Sequence, residues 1–339
     1  MLNNVQPCGI GFRDEVNQVR TARPLDGPEP TAAFWRAHRE GAPIALRTSG
    51  TTGGARTIVR STSSWTGSFG PLIEHLGLHA DDRMWVPGPL DSTMNLFSAC
   101  LSEAAGAAWS PRPEEASWAT LTPSALARAL GTRPPMKVLV AGDGLPPALW
   151  ERATGLGWSV VHYYGAAELS LVALGRHGQD LRPFESVEID TVDDRIWVRS
   201  PWLADGYLDA DGPGALRRRE DGFATVGDRG RLDAGLLRVW GRAGAITTAG
   251  ATVELAPLQA ALAAHARGEV VLLGLPHPEL GQVLAAATTS RDDLVTVRGW
   301  ARRNLSGPRR PRVWRVVPRL PRTAAGKVDL HRLAEELAR

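Results

Sequence analysis

From about residue 43 to 165, short apolar runs alternate with segments of helical spacing, and no other feature restricts the fold as much. Pro43–Arg47, Met84–Pro87, Lys137–Ala141 and Trp158–Tyr163 read as strands, and Ser64–Leu76 and Pro146–Thr154 as helices. Strands that alternate with helices return in the same direction, so the pattern predicts an α/β fold with a mostly parallel sheet. Ligands of such sheets bind in the loops at the carboxyl ends of the strands. Ahead of this region, Thr31–Arg39 is one further predicted helix.

Past residue 184 the spacing changes. Ser186–Ile189, Arg195–Arg199, Gly222–Thr225 and Leu236–Val239 are short runs separated by Asp/Gly turns, which predicts an antiparallel sheet or small barrel. Past Gly241 a small α+β unit is predicted, with strands over 245–248, 269–274 and 282–288. Its helices are expected over 255–266 and 292–303, with a short one from Asp329. We place the domain boundary at about 240–244. It separates a core of residues 1–240, whose β-rich part is about 184–240, from a C-terminal domain of residues 241–339.

Hydrophobic residues make up 43% of the 339, enough for a substantial core, which sets disorder aside. No apolar run approaches the roughly 20 residues of a membrane helix. The opening MLNNVQPCGIGFRDEV has no basic segment followed by an apolar one, so a secretory leader is not expected. Cys8 and Cys100 cannot by themselves form a disulfide framework or a zinc site. Together these point to a reduced, cytoplasmic setting. The net charge of +3 is small, and the basic stretches 217–220 and 308–315 do not interleave aromatics, so no nucleic-acid partner is expected. Of the 39 lysines and arginines, only Lys137 and Lys327 are lysine. In a chain that uses arginine for surface charge, a lysine is a marked choice. Lys137, entering an apolar strand, reads as structural.

Thr48–Arg56 reads TSGTTGGAR and follows a strand. Its glycines let backbone amides turn inward and its hydroxyls add donors, which suits a chain of phosphates, although a flexible surface loop has the same composition. Tyr164–Glu168 reads YGAAE, just after the strand ending at Tyr163; alone it offers an ordinary aromatic and a solvated charge. Ala141–Gly144 is a glycine-rich turn. Val226–Gly230, VGDRG, presents Asp228, a fitting acceptor for a vicinal diol within a common kind of Asp/Gly turn, and Gly241-Arg242 follows one strand later. Leu320–Leu330 reads LPRTAAGKVDL, with Lys327 preceded by a glycine.

In this order these segments resemble the adenylate-forming superfamily of acyl-CoA synthetases, peptide-synthetase adenylation domains and luciferases. TSGTTGGAR is similar to that family's TSGTTGxPKG through Gly53, then departs with Ala55 for proline, Arg56 for lysine and Thr57 for glycine. YGAAE resembles YGxTE, with Ala167 for threonine. LPRTAAGKVDL resembles LPRTxxGKxDR. The resemblance implies that Thr48, Ser49, Gly50, Thr51, Thr52 and Gly53 hold the phosphates of ATP, with Arg56 as the attendant cation. It implies that Tyr164 stacks on adenine, beside Gly165 and Gly142. Glu168 would ligate Mg2+, and Asp228 and Arg242 would take the ribose hydroxyls. Lys327 would bridge the substrate carboxylate and the α-phosphate. The hinge after Arg242 reads Ala243-Gly244-Ala245, one residue shorter than usual and without the acidic pair.

The resemblance covers residues 43–335 and implies a truncated adenylate-forming ligase fold. The segment usual before the phosphate loop is reduced to residues 1–47. Short forms of this kind resemble the o-succinylbenzoate–CoA ligases of actinobacteria, to which 246–265 is also similar. The implied reaction activates a small-molecule carboxylic acid with ATP as an acyl-adenylate, then passes the acyl group to the thiol of coenzyme A. Between the two steps the C-terminal domain would rotate about Arg242–Gly244, withdrawing Lys327 and presenting 247–251. Two other readings stand beside it: an adenylating enzyme that delivers to an acyl carrier protein or an amine, and a degenerate nucleotide-binding protein. The acyl pocket is expected between a helix over 93–106, the 141–144 turn and residues 164–171, and Val86–Leu96 offers no histidine or aromatic gate. The shortened N-terminus should leave an apolar sheet face bare, which a second copy in a two-fold dimer would cover.

Overall fold

The computed structural model describes residues 21–47, 56–208, 216–242, 244–322 and 328–338. Its largest sheet has seven strands, in the order Ala108–Ser110, Arg83–Trp85, Trp118–Leu121, Lys137–Val140, Ser159–Ala166, Ser170–Gly175 and Arg182–Pro183. The first five are parallel, as expected, and the last two run antiparallel. Lys137–Val140 shows why the sequence reads as it does. Val138 and Val140 enter one apolar cluster while Leu139 enters the other, so a strand buried on both faces is apolar almost throughout.

Both faces are covered by this chain's own helices. Pro30–Glu40, Ser63–Leu76 and Thr93–Ala104 bring Phe34, Trp65, Phe69, Leu72 and Phe97 against Met84, Trp118 and Leu139. On the opposite face Pro123–Ala129 and Pro147–Gly155 cover Ala119, Leu121, Val138, Val140 and Val160. The bare face expected from the short N-terminus is therefore not found among the described residues, because these three helices pack over it. The argument for a dimer built on that face falls with it. The large apolar side chains that are exposed, such as Leu156, Trp240 and Val295, are scattered.

Pro43–Arg47 also departs from expectation, for it lies outside the parallel sheet. It pairs antiparallel with Thr57–Ser61, in register from Pro43↔Ser61 to Arg47↔Thr57, and Gly206–Tyr207 adds a third strand. Alternation alone does not separate a strand that leads into a helix from one that turns straight back. A six-stranded antiparallel sheet follows, comprising Glu188–Val192, Arg195–Arg199, Arg217–Arg218, Ala224–Thr225, Asp228–Asp233 and Leu236–Arg242. The last sheet has five strands, Ala245–Thr248, Ala251–Glu254, Val270–His277, Gly281–Thr288 and Val313–Val316. Leu255–Ala263 and Arg291–Asn304 pack on one of its faces and Leu330–Ala338 on the other.

One buried histidine fixes the turn at the end of the central strand. His162 is 2% exposed, its Nδ1 lies 3.0 Å from the Val140 carbonyl, and the Leu145 amide donates to its Nε2 at 3.4 Å. Both contacts require the neutral ring with its proton on Nδ1, and burial pushes its pKa down to about 4. The unfolded chain, with an ordinary histidine, takes up a proton first. Stability should therefore be full above about pH 6.5 and fall as pH drops toward 4, by roughly 3 kcal/mol. Urea unfolding across that window checks this; His162→Gln, which cannot titrate, should flatten the slope.

Candidate functional site

A cavity of about 1400 Å³ opens at the carboxyl ends of the parallel strands. Pro87, Thr122, Ala141 and Gly142 line it where three of those strands end. The hairpin contributes Arg56, the six-stranded sheet Asp228 and Gly241, and the last sheet Thr247, Ala249 and Gly250. Of the residues singled out in the sequence, Arg56, Gly142, Tyr164, Gly165, Glu168 and Asp228 meet around this one space. Thr48, Ser49, Gly50, Thr51, Thr52, Gly53 and Lys327 lie outside the described residues. Arg47 and Arg56, which flank residues 48–55 in the sequence, both line the cavity.

Tyr164 stands within Ser159–Ala166, not after it, and its hydroxyl donates to Asp228 Oδ2 at 3.0 Å. Asp228 begins its strand directly opposite Arg242, the other residue expected at the ribose. Glu168 sits in the tight reversal between Ser159–Ala166 and Ser170–Gly175. That reversal needs Gly165, because a Cβ there would lie 2.1 Å from the Ser170 carbonyl oxygen. Ser170 itself takes a left-handed φ of 61°, a strained conformation for a side-chain-bearing residue.

Glu168 is a buried carboxylate, 8% exposed. Its Oε1 accepts from the Tyr207 hydroxyl at 2.6 Å. The Arg56 guanidinium lies 5.7 Å from the centre of the Tyr207 ring. Burial first, then the neighbouring Glu168 charge, raises the Tyr207 pKa well above its ordinary value, so the phenol stays protonated and remains a donor. Arg60, fully buried, donates to the carbonyls of Ala167 at 2.8 Å and Trp202 at 2.6 Å and to Ser64 Oγ at 2.8 Å. Burial pushes its pKa down to about 9, still well above neutrality. In the 141–144 turn, burial raises the Asp143 carboxyl to about 7.

The motifs did not disclose Arg60, Tyr207, Asp143 or His162. One signal was available for Tyr207: the chain has three tyrosines, and Tyr163, Tyr164 and Tyr207 all stand at or beside the cavity. The expected acyl wall is present in part, as Met94, Phe97 and Ser98 of Thr93–Ala104 line the same space.

Residues 258–327 match the model of the AMP-binding enzyme C-terminal domain. The chain is 27% identical to an uncharacterized acyl–CoA ligase of Bacillus subtilis, YhfT, over 86% of its own length and 67% of the relative's. A probable 2-succinylbenzoate–CoA ligase of Mycobacterium tuberculosis is 34% identical over 59% of this chain and 54% of that protein. The chain thus spans between about half and two thirds of these relatives. Among solved structures, the o-succinylbenzoate CoA synthetase of Bacillus subtilis superposes with a TM-score of 0.68 at 22% identity, covering 86% of this chain and 69% of that one. Over the shared part the fold is that of this enzyme, and in sequence the chain is similar to acyl–CoA ligases.

Proposed function

We propose that this protein is an AMP-forming acid–thiol ligase that activates a small carboxylic acid with ATP and passes the acyl group to coenzyme A. The observation that carries the reading is the convergence of Arg56, Gly142, Tyr164, Glu168 and Asp228 on one cavity at the strand ends. In the first step a substrate carboxylate oxygen attacks the α-phosphorus and the bond to pyrophosphate breaks, leaving acyl-adenylate. In the second a thiolate adds to the acyl carbonyl, and AMP leaves with the bonding pair. We assign Tyr164 to the adenine face and Asp228 with Arg242 to the ribose. Residues 48–53 and Arg56 go to the phosphates, and Lys327 to the charge that builds on the α-phosphate. We place the boundary between core and mobile C-terminal domain at about 240–244, beside Gly244, whose φ is +71°.

Glu168 fits a magnesium site. Its carboxylate is buried and Tyr207 occupies Oε1, and Mg2+ typically takes one or two carboxylates with the remaining positions filled by substrate phosphates and water. Bound there with the nucleotide, Mg2+ would neutralise phosphate charge. A carrier protein or an amine in place of coenzyme A is the second reading, and dependence of product on added coenzyme A decides between them. We also propose a reduced, cytoplasmic setting; Cys100 is a buried free thiol, and no helix among the described residues is long and apolar enough to cross a membrane.

ATP–pyrophosphate exchange, run over a panel of aryl and fatty acids, tests the reading. Lys327→Ala should lower exchange by about 10²–10³-fold, the loss typical of one transition-state donor. Exchange at the wild-type rate would remove Lys327 from the reaction, and no exchange with any acid would leave only the degenerate nucleotide-binding reading.

A second set of variants tests the carboxylate and its neighbours. Glu168→Gln and Tyr207→Phe should both raise the Mg2+ concentration for half-maximal exchange, the first by more than about tenfold and the second by several-fold. Arg56→Lys should keep most activity while Arg56→Ala raises the apparent KM for ATP. An unchanged KM in Arg56→Ala would place that cation away from the phosphates.

A further inference from the structure

The carboxylate of Asp143 occupies a socket made largely of glycine. The Gly144 amide donates to its Oδ1 at 2.7 Å, and the Gly250 amide acts on the same carboxyl. Among the described residues its Oδ2 is buried with no hydrogen-bond partner. Gly281 lies against it so closely that a Cβ there would stand 2.8 Å from Oδ2 and 3.0 Å from Oδ1. Both Gly250 and Gly281 have left-handed φ, +82° and +72°. Gly250 is at the tip of the hairpin formed by Ala245–Thr248 and Ala251–Glu254, and Gly281 pairs with Thr248, the last residue before that tip. The contact therefore joins a turn of the parallel sheet to two turns of the last sheet. Nearby, Arg152 and Glu279 approach to 3.8 Å across the same seam, but both are about half exposed and such a pair contributes little.

Two consequences follow. The socket is shape-specific, since neither glycine can be replaced without disturbing the carboxylate or the backbone. The contact is also costly, because a buried carboxyl with an unpartnered oxygen is poorly compensated, and burial lifts its pKa to about 7. A contact that is specific in shape and weak in net energy suits a docking that must also be released. Thr247, Ala249 and Gly250 of the docked hairpin line the cavity, so its seating shapes the entrance on that side.

We propose that Asp143 is the positioning residue of a releasable clasp that seats the hairpin tip at Gly250 and the turn at Gly281 over the cavity, in the arrangement that serves acyl transfer. This rests on the adenylation-and-transfer reading above. It assigns Asp143 no contact with the reacting atoms; its effect runs through the hairpin.

The test places Gly281→Ala in two backgrounds, the wild type and Asp143→Ala. In the wild type the added methyl strikes the carboxylate. Hydrogen exchange in the 245–254 peptide should then quicken at least about tenfold, while peptides of Arg291–Asn304 stay protected. Transfer of a preformed acyl-adenylate to the thiol should slow by a similar factor, with ATP–pyrophosphate exchange within about twofold of wild type. In the Asp143→Ala background, adding Gly281→Ala should change hydrogen exchange and transfer by less than about threefold, because no carboxylate remains to be struck. The strain of alanine at a left-handed φ is the same in both backgrounds, so equal effects in the two would overturn the clasp. Loss of protection across the whole of 245–304 would overturn it as well, as unfolding in place of undocking. If no acid supports pyrophosphate exchange, the adenylation reading fails on its own, and the hydrogen-exchange arm still decides whether Asp143 seats the hairpin.

Discussion

The buried guanidinium of Arg60 is the constraint on which the rest of the site depends. Arginine stays charged in proteins, so its burial is tolerable only when the planar fork meets acceptors in fixed positions. Those acceptors come from three places: Ser64 on the next helix, the carbonyl of Ala167 before Glu168, and the carbonyl of Trp202. The Trp65 ring lies 5.3 Å from the guanidinium centre. With these segments tied, the Ala204 amide donates to the Glu168 carbonyl at 2.8 Å and Tyr207 reaches the Glu168 carboxylate. The hairpin that carries Arg56, the reversal that carries Glu168 and the strand that carries Tyr207 are thereby held in one arrangement.

From this follows the division of labour around the cavity. The parallel strands end together and open the space, and the helices over their two faces supply the packing that keeps those ends level. The antiparallel return from Ser159–Ala166 to Ser170–Gly175 bends the chain sharply enough to put Tyr164 and Glu168 on the same rim. Asp228 enters from another sheet, and its contact with the Tyr164 hydroxyl is one link between the two. No one sheet carries the candidate site. It forms where the hairpin, the seven-stranded sheet and the six-stranded sheet converge, and the last sheet closes one side through the 249–250 and 281 turns.

How much of this was legible depends on how local each determinant is. Lys137–Val140 and Arg195–Arg199 were readable because their burial is set by the apolar character of a few neighbouring residues. Trp118–Leu121 was not, since four wholly buried residues carry no period and lie just before Pro123. Ser170–Gly175 was missed for the same reason, as nothing in a short apolar run says that it returns antiparallel. The motifs disclosed Tyr164, Glu168 and Asp228 because each sits in a short pattern of its own. Arg60 and Tyr207 act across separations of 107 and 39 residues, and no local pattern records such a contact. Asp143 reads only as part of a glycine-rich turn, because its partners, Gly250 and Gly281, lie in a different unit.

The departures from the family pattern can be weighed in the same physical terms. Ala167 removes a hydroxyl from the turn before Glu168, yet the turn keeps its position because the Ala167 carbonyl takes a donor from Arg60. What is lost is one side-chain donor to the cavity, not the placement of the carboxylate. Arg56 exchanges a mobile ammonium for a rigid fork, and its place over the Tyr207 ring gives that fork a stacking surface lysine would use less well. The change at Arg56 runs in the direction of this chain's composition, which has 39 basic residues and only two lysines. Under the adenylating reading, the one position where arginine is a poor substitute is 327, where a compact charge must approach both a carboxylate and a phosphate and then withdraw. Lys327 occupies that position in the sequence. A chain that otherwise uses arginine almost throughout has a lysine at that position, and this favours an active enzyme over a degenerate nucleotide-binding protein.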